Sequence, residues 1–180
     1  MQEIKELIRL DYQTGDLFWL PRSAKHFVAT GIRDTKGCAN NWNSRYAHKP
    51  CLTCIGNHGY KRGNFLGNSL LAHRAVFYIV NGFMPKYVDH INGNKLDNRP
   101  INLRQATNSE NIANSKSRKN SSSKYLGVCW SKKHDKWVVH ITKDYKQKYL
   151  GLFESEVDAA KAYNLAAIKL HKQYSNLNHV

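Results

Sequence analysis

The residues best able to do chemistry gather in one stretch, "YVDHINGNKLDNRPINLRQATNSENIAN", residues 87–114. Asp89 and His90 are adjacent, Asn102 follows the histidine by twelve residues, and Asn111 lies nine further on. Histidine, with an ordinary pKa of about 6.5, exchanges a proton near neutral pH. Asp89 offers a hard carboxylate oxygen and Asn111 a carbonyl oxygen, donors that Mg²⁺ or Mn²⁺ accepts while keeping several waters. Neighbouring side chains of an extended strand point to opposite faces, so Asp89 and His90 cannot serve the same role. The stretch also holds seven asparagines. Their amides compete with the backbone for hydrogen bonds and disfavour helix and strand interiors, so something other than a core must organise it. Asn92, Asn94 and Asn98 read as turn formers around Gly93.

These residues need elements to carry them. Thr107-Asn108-Ser109-Glu110 is a capping box, which places Asn111 in the first turns of a helix facing a strand pair. Upstream, "HGYKRGNFLGNSLLAHRAVFYIVNG" predicts a hairpin around Leu66-Gly67-Asn68-Ser69 and a helix from about Arg74 to Val80 that stops at Asn81-Gly82. His73-Arg74 could be a second catalytic pair, or a cap and packing residue at that helix start. Residues 3–10 carry Ile4, Leu7 and Ile8 at helical spacing, and "QTGDLFWL" turns at Gly15 into a short strand. Residues 21–56 are polar and irregular and read as loop. "SKSRKNSSS", 115–123, reads as a basic linker. Beyond it, "YLGVCW", "KWVVHIT" and "QKYLGLF" predict three strands, with Trp137, Val139 and Ile141 on one face. "SEVDAAKAYNLAAIKLH" predicts a helix capped by Ser155 and Asp158, its apolar stripe running through Val157, Ala160, Tyr163, Ala167 and Leu170.

Lys and Arg total 28 against 13 Asp and Glu, a net charge of +15, which suits a polyanion and nucleic acid first. Ten of these cations against two aspartates lie between Lys116 and Lys148. No apolar run reaches the roughly 18 residues of a membrane span, and the N-terminus lacks a signal-peptide stretch, so a soluble, intracellular protein is expected. Cys51 and Cys54 have C-x-x-C spacing, but a zinc site would also need Cys38 and a histidine such as His48 or His58. Reduced thiols are the preferred reading, and structural zinc is not expected.

Two resemblances follow. Tyr125-x-Gly127-Val128, Lys136-Trp137-Val138-Val139-x-Ile141, Leu150-Gly151-x-Phe153, Asp158-Ala159-Ala160-x-Ala162-Tyr163 and Leu177-Asn178 make residues 122–178 similar to the plant ethylene-response-factor (Apetala-type) DNA-binding domain. That resemblance implies a sheet docked in a major groove, with Leu126, Cys129, His140, Thr142, Gln147 and Tyr149 at the base-reading positions. None is arginine, so the family's sequence preference does not carry over. Lys124, Lys132, Lys133, Lys136, Lys143, Lys146 and Lys148 would mostly meet phosphates, which position without specifying.

The order Asp89-His90, Asn102, Asn111, together with "AHR" at 72–74, "DHINGNKLDNR" at 89–99 and "NLR" at 102–104, resembles the HNH nuclease motif in its His-Asn-Asn form. The match is to phage homing endonucleases that carry a C-terminal ethylene-response-factor type domain. It implies an α+β chain. A ββα-metal nuclease domain would occupy residues 1–115 with its core at about 56–115, a linker 116–123, and a three-stranded antiparallel sheet packed on one helix 124–180. It implies metal-dependent hydrolysis of double-stranded DNA, with His90 as general base, Asp89 and Asn111 on Mg²⁺ or Mn²⁺, and Asn102 bracing the loop 91–101 and orienting the histidine. Arg99 and Arg104 could clamp the scissile phosphate. The final asparagine in place of histidine disfavours softer ions such as Zn²⁺. Affinity is expected to be salt-sensitive, the protein a monomer or homodimer, and the setting the cytoplasm of a phage's bacterial host. The rival reading is a DNA-binding, transcription-type protein with an inactive HNH scaffold.

Overall fold

The computed structural model describes residues 2–114 and 121–180, so residues 116–120 of the expected linker lie outside the described residues. The chain is mixed α/β and falls into two compact units, Met1–Arg104 and Gln105–Val180.

The first unit opens with helix α1 (Glu3–Leu7), which passes directly into strand β1 (Ile8–Leu10). The helical spacing of Ile4 and Leu7 therefore stops short of Ile8, which instead pairs with Trp19 of β2 (Leu17–Trp19). Between β2 and β3 (Pro50–Cys51) lies a 12-residue helix, α2 (Thr35–Tyr46), where the sequence reading expected loop. Gly37 and three asparagines cost this helix about 3 kcal/mol relative to alanine. Two contacts offset that cost. Asp34 caps the helix by accepting from the Gly37 N–H at 2.6 Å. Trp42 packs edge-on to Trp19 at 5.7 Å and against Tyr46 at 5.4 Å, with the Arg22 guanidinium 4.1 Å from its ring and 4.8 Å from that of Trp19. Half-burying one tryptophan and adding two aromatic pairs is worth about 2–4 kcal/mol, comparable with that cost even before the cap is counted. Packing and the cap together thus outweigh propensity, and only the folded chain brings Trp19 and Arg22 to Trp42.

Strands β4 (Cys54–Ile55), β5 (Lys61–Phe65) and β6 (Asn68–Leu71) form a second antiparallel sheet, whose β5–β6 hairpin turns at Leu66-Gly67 as expected. Helix α3 (Ala72–Asn81) follows at once and ends at Gly82. Its Ala72, Ala75, Val76 and Phe77 pack with Ile4, Leu7, Leu17, Phe65, Val88 and Leu103 in one core. Cys51 is buried in the same core, where burial pushes its thiol up to about 12. Strand β7 (Tyr87–His90) pairs with β8 (Leu103–Ala106), and a short 3₁₀ turn, Pro100–Asn102, leads into β8.

In the second unit, α4 (Asn108–Ala113) has the full capping box, with Thr107 accepting from the Glu110 N–H and Glu110 accepting from the Thr107 N–H. Strands β9 (Val128–Ser131), β10 (Lys136–Lys143) and β11 (Lys146–Phe153) form an antiparallel sheet in the order β11-β10-β9. Helix α5 (Glu156–His171) covers one face of it. Val139 and Ile141 meet Ala159, Ala160, Tyr163 and Ala167 there, the small alanines letting helix and sheet approach closely. Gly127, at φ 71°, lies under the Tyr163 ring and the His140 carbonyl, where no Cβ fits. Leu126, assigned to the outer face in the sequence reading, packs against this core instead.

The β1–β2 connection is a tight turn in which the Gly15 N–H donates to the Asp11 carbonyl at 2.8 Å. Gly15 has φ 76° and faces the backbone of Asn98 and Arg99 so closely that a methyl group has no room. Gly15→Ala is expected to lower unfolding free energy by about 2 kcal/mol or more, read as a shift in the urea midpoint at unchanged slope.

Candidate functional site

The loop 91–101 between β7 and β8 is built by its asparagines. The Gly93 N–H closes on the His90 carbonyl at 2.9 Å, and Asn92 Oδ1 and Asn94 Oδ1 accept from the backbone N–H groups two residues on, at 2.8 and 3.1 Å. Asn102 bridges the loop. Its Oδ1 accepts from the Asn92 N–H at 3.0 Å, and its Nδ2 donates to Asn92 Oδ1 at 3.0 Å and the Asp97 carbonyl at 2.7 Å. Arg99 forks onto Asp97 at 2.7 and 2.8 Å, and this pairing holds the Asp97 carboxyl down to about 2.

Asp89 and His90 end β7, and both are buried. Asp89 Oδ2 accepts from Arg104 Nε at 2.8 Å and pairs with Nη2 at 2.7 Å. Arg104 thus engages the site carboxylate, and Arg99 the loop's own Asp97. His90 faces a different set. Its Nε2 donates to Asn98 Oδ1 at 3.0 Å, a bond that leaves the ring's lone pair on Nδ1. Burial pushes His90 below its ordinary range, opposed by the Asn98 hydrogen bond and the Asp89 and Asp97 charges. The imidazole is therefore neutral at neutral pH, the state a proton acceptor requires.

Sequence reasoning missed the depth of this pocket. Asn98, read as a turn former, is 1 % exposed, and its Nδ2 finds no hydrogen-bond partner among the described residues. Leaving such a donor unpaired costs about 1–3 kcal/mol. The site thus holds Asn98 against His90 at a cost in stability. His73 lies with its ring 5.1 Å from His90, and Tyr60 is 4.8 Å from His73. Burial, then the neighbouring His90 and Arg74, pushes His73 down to about 3. Of the two open readings, this geometry makes His73 a packing neighbour of His90; Arg74 turns away to donate to the Pro85 and Lys86 carbonyls at 2.9 and 3.1 Å. Only the helical position of "AHR" beside the Asp-His strand in space could have exposed this cluster, and no periodicity signals it.

Asn111 belongs to α4 in the second unit, half-buried, its backbone N–H on the Thr107 carbonyl at 3.0 Å. Among the described residues no three His, Cys, Asp or Glu side chains form a metal-holding group. The Asp89 carboxylate is a hard oxygen donor of the kind that a Mg²⁺-type ion accepts while keeping most of its waters. On the second sheet, Cys129, Thr142, Gln147 and Tyr149 are exposed on the face away from α5, with His140 half-buried among them. In register, Thr142 opposes Gln147 and His140 opposes Tyr149, their rings 5.6 Å apart. Lys124, Lys132, Lys133, Lys143, Lys146 and Lys148 are exposed, while Lys136 is half-buried and pairs with Glu154 at 3.2 Å. No described helix is long and apolar enough to cross a membrane.

The buried, neutral His73 ties stability to pH. Its folded pKa near 3 lies below the ordinary value of 6.5, so the unfolded chain takes the proton first as pH falls. Its stabilising contribution is complete above pH 6.5 and is lost between pH 6.5 and about 3, by at most about 1.4 kcal/mol per pH unit. Urea titrations of metal-free protein across that window are expected to give a slope shallower by about one proton in His73→Leu than in the wild type.

Comparison with known proteins picks out the same stretch of the chain. The HNH endonuclease family model matches residues 70–113, the span from β6 through α4. Protein 3.8 of Escherichia phage T7 is 40 % identical over 77 residues, 42 % of this chain and 64 % of that protein. The uncharacterized HNH endonuclease L560 of Acanthamoeba polyphaga mimivirus is 33 % identical over 129 residues, 70 % of this chain and 66 % of that protein. The chain thus spans just under two thirds of the length of each of these relatives. No solved structure matches it. Residues 70–113, with Asp89, His90, Asn98 and Asn102 among them, match the HNH endonuclease family, and the chain is similar to a phage protein and a viral HNH endonuclease.

Proposed function

We propose that the protein is a metal-dependent DNA endonuclease that hydrolyses phosphodiester bonds in double-stranded DNA, of the homing type. The observation that carries this reading is the buried His90, neutral and held through Nε2 by Asn98, beside the Asp89 carboxylate within the matched HNH span. His90 Nδ1 takes the proton of the attacking water, and Asn98 keeps that lone pair aimed as the bond forms. Asn102 holds the loop that supplies Asn98. Asp89 and Asn111 would hold the divalent cation, and Arg104 sets the orientation of the Asp89 carboxylate. When bound, that ion neutralises charge building on the phosphate and stabilises the leaving oxygen.

The C-terminal sheet is the second half of the proposal. In the Apetala-type reading, His140, Thr142, Gln147 and Tyr149 face the groove, while Lys124, Lys132, Lys133, Lys143, Lys146 and Lys148 meet phosphates. Two strands and their hairpin fit a major groove. Lys136, tied to Glu154, would join only by exchanging that partner. Arg99, exposed and paired with Asp97, is the cation beside the loop able to swing to a phosphate at least cost.

The test is conversion of supercoiled plasmid carrying DNA from the chain's own genomic neighbourhood. Wild-type protein with Mg²⁺ is expected to give open-circle or linear product, EDTA to abolish it, and His90→Ala to slow it by about 10²–10⁴-fold. Equal binding by both proteins with no cleavage by either would establish the inactive scaffold instead. Asn98→Ala is expected to lower kcat by about 10- to 100-fold with KM for DNA unchanged, because it removes aim and leaves DNA binding intact.

A further inference from the structure

The tip of the β10–β11 hairpin is strained for no local reason. Asp144 and Tyr145 both have left-handed backbone, with φ 48° and 61°. Two-residue hairpin loops of this kind normally carry Asn-Gly or Asp-Gly. Asp144 suits the first position, but Tyr145 occupies the second, where glycine would be free of strain. No burial compensates, since Tyr145 is 72 % exposed.

What the tip does is hold α4. The Tyr145 hydroxyl accepts a 2.7 Å hydrogen bond from Nδ2 of Asn108, the first residue of that helix. The Asp144 N–H donates to Ser109 Oγ at 3.1 Å. The C-terminal tail grips the same segment, with the Tyr174 hydroxyl donating to the Gln105 carbonyl at 3.0 Å and Asn176 Nδ2 to the Asn114 carbonyl at 3.3 Å. A helix of six residues is far below the roughly 12–15 that sustain a helix alone, so its placement depends on such partners.

We propose that the Asp144-Tyr145 tip is a positioning device that holds α4, and with it the Asn111 carboxamide. This rests on the reading of Asn111 as a ligand to the divalent ion. The strained tyrosine is kept because its ring spans from the hairpin to Asn108, a reach that glycine lacks. The sheet then has two tasks, with its lysines and outer face for DNA and its tip for the nuclease helix.

Two variants of the full chain separate this from a plain turn. Tyr145→Gly relieves the backbone and deletes the hydroxyl, and Tyr145→Phe deletes the hydroxyl alone. Tyr145→Gly is expected to resist urea at least as well as the wild type, yet in metal-free protein the amides of residues 111–113 exchange about three- to tenfold faster in both variants, the factor that one ordinary hydrogen bond represents. In plasmid nicking, kcat is expected to fall by a similar factor with KM for DNA unchanged, and the Mg²⁺ concentration for half-maximal rate to rise. Unchanged exchange at α4 overturns the proposal, and unchanged exchange with a raised KM replaces it with a direct DNA contact by Tyr145. The exchange measurement needs no cleavage, so a wild-type protein that does not cut would remove the role of Asn111 while the hold on α4 is still decided.

Discussion

The burial of Asp89 and His90 side by side is the constraint around which the first unit is arranged. A strand end that takes a carboxylate and an imidazole out of water must supply partners for both, because an unpaired buried charge costs several kcal/mol. The chain supplies Arg104 from the returning strand and Asn98 from the loop, so the 91–101 excursion is a device for bringing Asn98 back to His90. Asn102 and Asn92 exchange hydrogen bonds to hold that excursion closed. Gly15 then lets the β1–β2 turn press against the Asn98 backbone from outside. A distant turn, a loop and a strand thus all converge on the Asp89-His90 pair.

The same constraint accounts for the histidine pair. Tyr60, His73 and His90 stack in a pocket that desolvates each of them, and desolvation keeps both imidazoles neutral. A neutral His73 next to His90 adds packing without adding charge. Asn98 with its unpaired amide is the other local compromise, a buried donor left unsatisfied while its oxygen is committed to the histidine. Sites where a folded chain tolerates such costs are those where position matters more than stability.

The second unit obeys simpler rules. Alternation along β10 sends Val139 and Ile141 to the helix and His140 and Thr142 outward, and the alanines of α5 let the two layers close. The resulting unit has one face committed to its core and an outer one that carries Cys129, His140, Thr142, Gln147 and Tyr149. Its hairpin tip is the exception to regularity, a tyrosine in a conformation suited to glycine, turned toward α4.

Much of this was legible from sequence because it depends on local physics. The capping box at Thr107, the β5–β6 hairpin, the end of α3 at Gly82 and the sheet-and-helix order of the second unit all follow from residues within a few positions of one another. The Asp89, His90, Asn102 and Asn111 series was equally visible, since it is a matter of type and spacing. What only the tertiary structure decided is whatever depends on residues distant in sequence. Helix α2 formed against its own propensities because Trp42 found Trp19 and Arg22. Asn98 became the partner of His90, and Arg104 that of Asp89, because burial forced each polar group to find one, and a partner's identity depends on which chain segments burial brings together.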